Sequence, residues 1–467
     1  MRDLTDRALD TANGLGAEYA DVRIVRRLEE SIAVKTGRVE GVAIGETEGF
    51  GIRVLVDGAW GFASSNHLEL AEADRVAGLA VRIAKASATA LRNRVILDGR
   101  PAAHGTYETP LTEDPFTVPL ETKIDDLVTA DRLAAEVKGI AFTESMYAAQ
   151  REWKTFAATD GSFTEQTITH IGAGVEANAI EGDEHQRRSF PDAGGGFSAA
   201  GYEFIRKLDL KGHAEAYAEE AVALLSAPQC EPGRRTIILD PSQLYLQVHE
   251  SCGHPSELDR VFGTEASYAG TSFLTTDKLD EGFRYGSDQI TIVADATAAN
   301  GMGTFGWDDE GVAAQAVPLV KEGIFVGYLS SRETAPRIGR QSGGHHAIKP
   351  FHDRGWSLRR SKQREPGVGL DAGNAGFGER RQIRQPRCAP GAGDGQCADR
   401  AGIDVADDAR QGRERQIDPA GEQFGGHRRR AAERNVLQVH AGPGLEQLRR
   451  QMRGRADAGR GVVQLCR

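Results

Sequence analysis

The chain lacks three features that would place it in broad classes of protein. No stretch approaches roughly 18 uncharged apolar residues, so we expect no membrane-spanning helix and no membrane partner. The first residues, Met1 to Arg7, have no apolar core of the kind that a secretory signal needs, and we therefore expect a cytoplasmic protein. The 5 cysteines in 467 residues form no even, closely spaced set, which argues against a disulfide scaffold.

An excess of basic residues is also missing. Lysine and arginine total 57 against 68 acidic residues, which gives a formal net charge of -11. This balance argues against nucleic acid as the main partner, because such proteins neutralise phosphates with clustered basic side chains. The length suffices for two or three domains. We predict an α+β domain at 1–100, a central α+β domain at 101–227, a truncated third domain at 228–344 and an anomalous tail at 345–467.

Periodicity of the apolar residues predicts an α+β fold, with mixed sheets and flanking helices followed by a β-rich third domain. Helical spacing appears at 3–15, 68–88, 123–139 and 212–225. Alternation typical of strands appears at 21–25, 31–35, 51–57, 60–63, 152–157, 164–176, 290–294 and 324–329. The polar, proline-containing stretch from Pro101 to Pro119 is interpreted as a linker or long loop.

The most informative motif is His249-Glu250-Ser251-Cys252-Gly253-His254, which follows an apolar run. Two imidazoles and a carboxylate offer zinc ligands and a general base. However, histidines at i and i+5 lie about 140° apart on a regular helix, at roughly 100° per residue. Both can face one metal only if the helix is distorted, for example by a π-type bulge that Gly253 would permit. The alternative is a chance spacing of two structural histidines.

The sequence around this motif resembles the TldD/PmbA family of metallopeptidases, whose active members carry His-Glu-x-x-x-His. The segment Gly49–Ala63 is similar to the family's first domain, and Gly303–Gly311 and Tyr328–Ala335 are similar to parts of its third. The resemblance implies that His249 and His254 bind Zn²⁺ and that Glu250 is the catalytic base. It also implies a peptide substrate, short or unfolded, bound as an added strand. The expected assembly is a hetero-oligomer with a PmbA-like paralogue, or a homodimer.

A third zinc ligand is the gap in this interpretation. The resemblance implies a cysteine from the C-terminal part, but Cys388, Cys397 and Cys466 have no matching neighbours, so the third ligand is unknown. A catalytic zinc normally has three protein ligands, and this particular chain is therefore expected to bind zinc weakly or to be inactive. A non-catalytic subunit or regulatory binder of the same fold is the alternative hypothesis.

Residues Asp308, Asp309 and Glu310 form a second candidate cluster. Three consecutive side chains cannot converge on one metal from a strand, because neighbours point to opposite faces. A solvated turn is one interpretation. The family resemblance places the segment near the substrate groove, so Asp309 and Glu310 are also candidates for peptide contacts. His170 and His185 are interpreted as structural.

The tail after Gly344 differs from the rest of the chain in composition. All 9 tyrosines precede it, and arginine, glycine and glutamine dominate it. Disorder or a basic nucleic-acid segment around Arg428 would fit this composition. A reading-frame shift fits better: moved by one nucleotide, Lys362–Gly367 can encode Asn-Asn-Val-Asn-Leu-Glu, similar to a family segment. Sequencing the gene across codons 338 to 350 tests this hypothesis.

Overall fold

The computed structural model describes residues 1–344 except 231, 232, 235 and 238. The predictions for the tail, including its frame shift and its cysteines, concern residues outside this part of the chain. Among the described helices, none has the length and apolar character needed to cross a membrane. Below, residues 1–100, 101–227 and 228–344 are called the first, second and third segments. These boundaries remain a prediction.

The first segment places two helices on three antiparallel strands. Its elements are α1 (Arg2–Gly14), β1 (Tyr19–Lys35), β2 (Arg38–Val56), β3 (Ala59–Ser65) and α2 (Leu70–Ala88). Small residues of α1 and α2, such as Ala8 and Ala80, pack on Val22 and Ile52 of the sheet. The helices therefore lie close to the strands and cover this end of the sheet.

The second segment continues the same sheet. Its elements are β4 (His104–Glu108), α3 (Leu120–Ala135), β5 (Ile140–Ala158), β6 (Phe163–Glu181), β7 (Glu184–Phe190), β8 (Gly196–Ser198), α4 (Glu203–Leu208) and α5 (Leu210–Leu224). The strand order is β3-β2-β1-β5-β6-β4, with β7 and β8 also paired to β6, and only β4 runs parallel to its neighbour. Because β1 pairs with β5 from Asp21 to Lys35, the two segments share one eight-stranded sheet.

The two faces of this sheet have different partners, as the alternation of side chains along a strand requires. On β1, Ile24 and Ile32 point to the face that the helices cover. On the opposite face, Arg23 of β1, Lys154 of β5 and Gln166 of β6 contact the third segment. The sheet thus separates a helical layer from the segment that carries the motif.

Two expectations for this region were wrong in detail. The predicted strands 21–25 and 31–35 are parts of one strand, β1, because the charged residues between them have ion partners: Arg27 pairs with Glu152 of β5 at 2.7 Å, and Glu30 pairs with Lys123 of helix α3 at 2.5 Å. The predicted linker from Pro101 to Pro119 contains β4, whose residues are mostly exposed and show no apolar alternation. The α+β fold class itself is confirmed.

The third segment consists of short helices around a small sheet. Its elements are α6 (Pro241–Val248), a π-helical turn (His249–Gly253), a 3₁₀ turn (His254–Ser256), α7 (Leu258–Val261), α8 (Ala266–Ala269), α9 (Thr276–Asp280), β9 (Ile292–Asp295), β10 (Ala316–Lys321), β11 (Ile324–Phe325) and a 3₁₀ turn (Ala335–Ile338). The predicted strand 324–329 ends after Phe325. Leu319, Val320 and Phe325 of the sheet pack with Cys252 and Leu258, which brings the motif onto the sheet.

Candidate metal centre

The motif lies where the helix changes from α to π geometry. Helix α6 begins with Asp240, whose carboxylate accepts a hydrogen bond from the N–H of Ser242 at 3.0 Å, and Pro241 occupies the first turn, where its missing N–H costs nothing. At the other end, the N–H of His254 donates to the carbonyl of His249, five residues back. This single wide turn is the distortion that the i, i+5 spacing requires, and that prediction is confirmed.

The wide turn brings the three motif side chains together. The ligand atoms of His249, Glu250 and His254 all lie within 4.8 Å of one another. The two imidazole rings meet edge to face, with centroids 4.4 Å apart and an angle of 80° between their planes. Imidazole nitrogen and carboxylate oxygen are both ligand types that zinc takes in proteins. The donor set therefore fits zinc.

The motif side chains differ in their exposure to solvent. The Glu250 side chain is 60% exposed and that of His249 is 25% exposed, and Nε2 of His249 lies 4.0 Å from Oε1 of Glu250. The carboxylate thus stands beside one imidazole while reaching solvent. An acid in this place can exchange protons with water and with a bound substrate.

Cys252 lies inside the motif but is not part of the donor cluster. Its side chain is buried against the small sheet of the third segment. Burial raises the pKa of the thiol to about 11, partly offset by a hydrogen bond with Tyr285. A protonated thiol on the core side of the helix serves packing, because metal ligation requires the thiolate. The hydroxyl of Tyr285 also donates to the carbonyl of Ser251 at 2.8 Å, within the π turn.

The surroundings of His254 contain two residues that the motif search missed. Oε1 of Glu257 lies 3.0 Å from Nδ1 of His254, and Oε2 accepts from Nε of Arg260 at 2.7 Å. In the sequence the three residues follow the spacing His-x-x-Glu-x-x-Arg. This spacing was the feature from which their contact could have been predicted. Since Nδ1 of His254 is engaged, Nε2 is the nitrogen left for a metal.

The acidic cluster is not a solvated turn, and that interpretation was wrong. Asp308, Asp309 and Glu310 are 2%, 8% and 2% exposed. Asp309 pairs with Lys154 at 2.6 Å, and Glu310 pairs with Arg53 at 3.1 Å. These partners belong to the large sheet, so the described contacts join the third segment to the first two. Peptide binding by Asp309 and Glu310 stays a prediction.

The two remaining histidine interpretations agree with the contacts. Nε2 of His170 lies 3.1 Å from the carbonyl oxygen of Met302, and His170 is fully buried. Nε2 of His185 lies 2.9 Å from the side-chain oxygen of Asn178. Both rings are hydrogen-bonded within the large sheet or between it and the third segment, as structural histidines are.

Comparison with known proteins identifies the family. Models of the PmbA/TldA metallopeptidase match domain 1 at residues 20–84, the central domain at 113–226 and the C-terminal domain at 232–355. A metalloprotease of Methanocaldococcus jannaschii is 31% identical over 329 residues, covering 70% of this chain and 69% of the relative. The chain belongs to the PmbA/TldD metallopeptidase family. A metalloprotease of Methanothermobacter thermautotrophicus is 30% identical over 327 residues, covering 70% of this chain and 67% of that one.

Solved structures show the same fold at lower identity. A putative modulator of DNA gyrase from Thermotoga maritima has a TM-score of 0.60 at 18% identity, with 75% of this chain and 76% of that chain covered. TldE from Thermococcus kodakarensis has a TM-score of 0.51 at 17% identity, with 73% of each chain covered. At such identity these structures establish the fold alone, and the activity has to be argued from the residues of the site.

Proposed function

We propose that this protein is a zinc-dependent peptidase that hydrolyses short or unfolded peptides. The observation that carries the proposal is the convergence of His249, Glu250 and His254 across the π turn, with donor atoms within 4.8 Å. Membership of a metallopeptidase family supports it. Imidazole nitrogens suit zinc, whereas calcium and magnesium prefer oxygen ligands.

The residues have distinct roles in this proposal. His249 and His254, as neutral imidazoles, hold the metal, which supplies Lewis-acid polarisation of the scissile carbonyl and acidifies water. Glu250 takes the proton of the attacking water and passes it to the leaving amine nitrogen. The exposed position of its carboxylate leaves room for a peptide beside it. An extended peptide would bind through backbone hydrogen bonds, which gives loose side-chain selectivity.

Among the described residues, the cluster at the motif contains His249, Glu250 and His254, and the third protein ligand is unknown. Two imidazoles hold zinc less tightly than three ligands do, so we propose that this chain binds zinc weakly and turns over slowly or not at all. This same observation favours the second candidate, a non-catalytic subunit or regulatory binder of the same fold. For the catalytic form we propose a hetero-oligomer with a PmbA-like paralogue, or a homodimer, working in the cytoplasm.

The test compares zinc content and hydrolysis of an extended, unstructured peptide for the chain as it stands and for a chain with the tail frame restored. We expect the restored chain to cleave the peptide. Glu250→Gln should lower its kcat at least about 100-fold, the usual contribution of a general base, while zinc content stays unchanged. Glu219→Gln, which alters an exposed acid on α5, is the matched control and should leave kcat unchanged.

Each failure has a separate meaning. If the restored chain cleaves equally well with and without Glu250→Gln, Glu250 is not the base. If neither chain binds zinc, the metallopeptidase proposal fails for this protein. If zinc binds at both histidines and no peptide is cleaved by either chain, the non-catalytic candidate is correct.

A further inference from the structure

One carboxylate makes a tight contact with a proposed zinc ligand. Glu257 Oε1 lies 3.0 Å from Nδ1 of His254, and the two side chains are each 16% exposed. Arg260, 17% exposed, donates through Nε to the other carboxylate oxygen at 2.7 Å. The three side chains form a short chain of contacts, ring to carboxylate to guanidinium, with little access to water.

The backbone fixes the position of Glu257. The N–H of Leu258 donates to the carbonyl of Leu329 at 3.0 Å, and the N–H of Leu329 donates to that of Ser256 at 2.9 Å. The 3₁₀ turn at His254–Ser256 returns the chain so that Glu257 lies beside the imidazole. Arg260 is held as well, since Nη1 donates to the carbonyl of Ala269 at 3.0 Å. These bonds orient the carboxylate before any metal binds.

The contact decides which ring nitrogen is available. A neutral imidazole carries one N–H, and only the other nitrogen has a lone pair for zinc. A carboxylate only accepts hydrogen bonds, so it selects the tautomer with the proton on Nδ1 and frees Nε2. Nη2 of Arg260 lies 3.1 Å from Nδ1 and would select the opposite tautomer. Both bonds would involve an ionised group, so charge alone does not rank them. The Nδ1–H tautomer satisfies the Glu257 oxygen, whereas Arg260 already donates to Glu257 and to the carbonyl of Ala269.

We propose that Glu257 is a positioning residue that holds His254 in the Nδ1–H tautomer with Nε2 directed to the metal, and that Arg260 keeps the carboxylate in place. This inference rests on the proposed zinc site. Carboxylate partners of zinc-bound histidines typically change metal affinity about 10–100-fold when they are removed.

The first experiment needs no metal. Two-bond ¹H–¹⁵N spectra of the metal-free full chain, labelled with ¹⁵N-histidine, report the tautomer of each ring, and His254→Gln assigns the His254 signal by its loss. We expect the Nδ1–H tautomer in the unsubstituted protein and a larger Nε2–H fraction in Glu257→Gln. Arg260→Gln should keep the Nδ1–H tautomer. If Arg260→Gln changes the signal and Glu257→Gln does not, the guanidinium is the partner and the proposal is wrong.

The second experiment measures zinc affinity by competition with a chromophoric chelator. Glu257→Gln should weaken binding about 10–100-fold. The matched control is Glu72→Gln on α2, because Glu72 also pairs with an arginine three residues on, at 2.7 Å, and its side chain is 18% exposed. It should leave affinity unchanged. Equal affinity of Glu257→Gln and the unsubstituted chain overturns the inference. Absence of zinc binding both in this chain and in the frame-restored chain overturns the proposed function instead, while the tautomer spectra still test Glu257.

Discussion

At the scale of single residues, three consecutive acids show how position decides the state of a carboxyl group. Asp309 and Glu310 have basic partners from the large sheet. Asp308 accepts hydrogen bonds from the N–H groups of Glu310 and Val312, at 2.9 and 2.8 Å. Burial, and then the nearby charge of Glu310, raise the pKa of Asp308 to about 8. The folded state therefore favours the protonated form of the Asp308 carboxyl group.

The raised pKa of Asp308 predicts a pH-dependent stability. The folded state binds the proton more tightly than the unfolded state, so the stabilising contribution is complete below about pH 4 and is lost as pH rises through about 8. Asp308→Asn should remove a slope of at most about 1.4 kcal/mol per pH unit in that window, because the amide oxygen can still accept both backbone bonds.

Urea unfolding of the metal-free protein at several pH values between 5 and 8 checks this, with Asp125→Asn on α3 as an exposed control. The stability difference between Asp308→Asn and the unsubstituted protein should grow with pH, and that of the control should stay constant. A constant difference for Asp308→Asn would contradict the assignment.

At the scale of elements, the sequence predicted the π-type turn of the motif helix but not the reason why the turn forms. The i, i+5 spacing predicted a π distortion, because two ligands on one helix must share a face. Glycine was expected to permit it. However, Gly253 has φ -56° and ψ -67°, a right-handed helical conformation that other residues adopt equally well. The wide turn is instead accompanied by tertiary contacts, among them the buried Cys252 and the bond from Tyr285 to Ser251.

Gly253→Ala should therefore be tolerated. An added Cβ would meet only the carbonyl oxygen of Val248, at 3.9 Å. Alanine loses less backbone entropy than glycine, so we expect about 0.5–1 kcal/mol more stability and zinc affinity within about twofold. Thermal unfolding measures the change in stability, and chelator competition measures the zinc affinity.

Gly61→Ala is the contrasting control, because its Cβ would collide with the carbonyl oxygen of Ala80. Loss of zinc binding in Gly253→Ala would show that glycine is needed for the bulge.

The strands show where sequence patterns stop being informative. Apolar alternation predicted the parts of β1 that face the helices. It did not predict the middle of the strand, because Arg27 and Glu30 interrupt the pattern there. Their ion partners lie 125 and 93 positions further along the chain, so the local sequence does not reveal them. Strand β4 was not predicted because its side chains are mostly exposed and show no apolar alternation, and it pairs with β6 along one edge. At the candidate site, the motif drew attention to His249, Glu250 and His254, whose donor atoms lie within 4.8 Å of one another. Glu257 was missed because its role depends on a turn that returns the chain to the ring.

At the scale of the whole molecule, family-like segments outside the motif join the third segment to the sheet. Gly306 and Trp307 donate backbone N–H bonds to Oε1 of Gln166, at 2.9 and 3.0 Å. Trp60 donates through Nε1 to Glu333 at 2.9 Å. Arg332 contacts both other segments, with Nε 3.1 Å from Asp98 and Nη1 3.2 Å from Asp160. The described contacts thus attach the third segment to the large sheet through buried polar side chains.

Arg332 makes the strongest test of this arrangement. Its side chain is 7% exposed, and Arg332→Met would leave the carboxylates of Asp98 and Asp160 without it. Breaking a buried ion pair typically costs about 3–5 kcal/mol, and we expect the lower end because Asp98 keeps Arg100 at 3.0 Å. Arg206→Met is the control: that side chain is 53% exposed and pairs with Glu113 at 2.7 Å, so its loss should cost less than about 1 kcal/mol. Urea unfolding followed by tryptophan fluorescence gives both free energies, since Trp60 and Trp307 lie where the third segment meets the sheet.

Equal losses of stability for the two substitutions would mean that Arg332 does not hold the third segment on the sheet. A larger loss of stability for Arg332→Met, with the zinc affinity of the folded protein unchanged, would show that Arg332 stabilises the attachment of the third segment and has no part in metal binding.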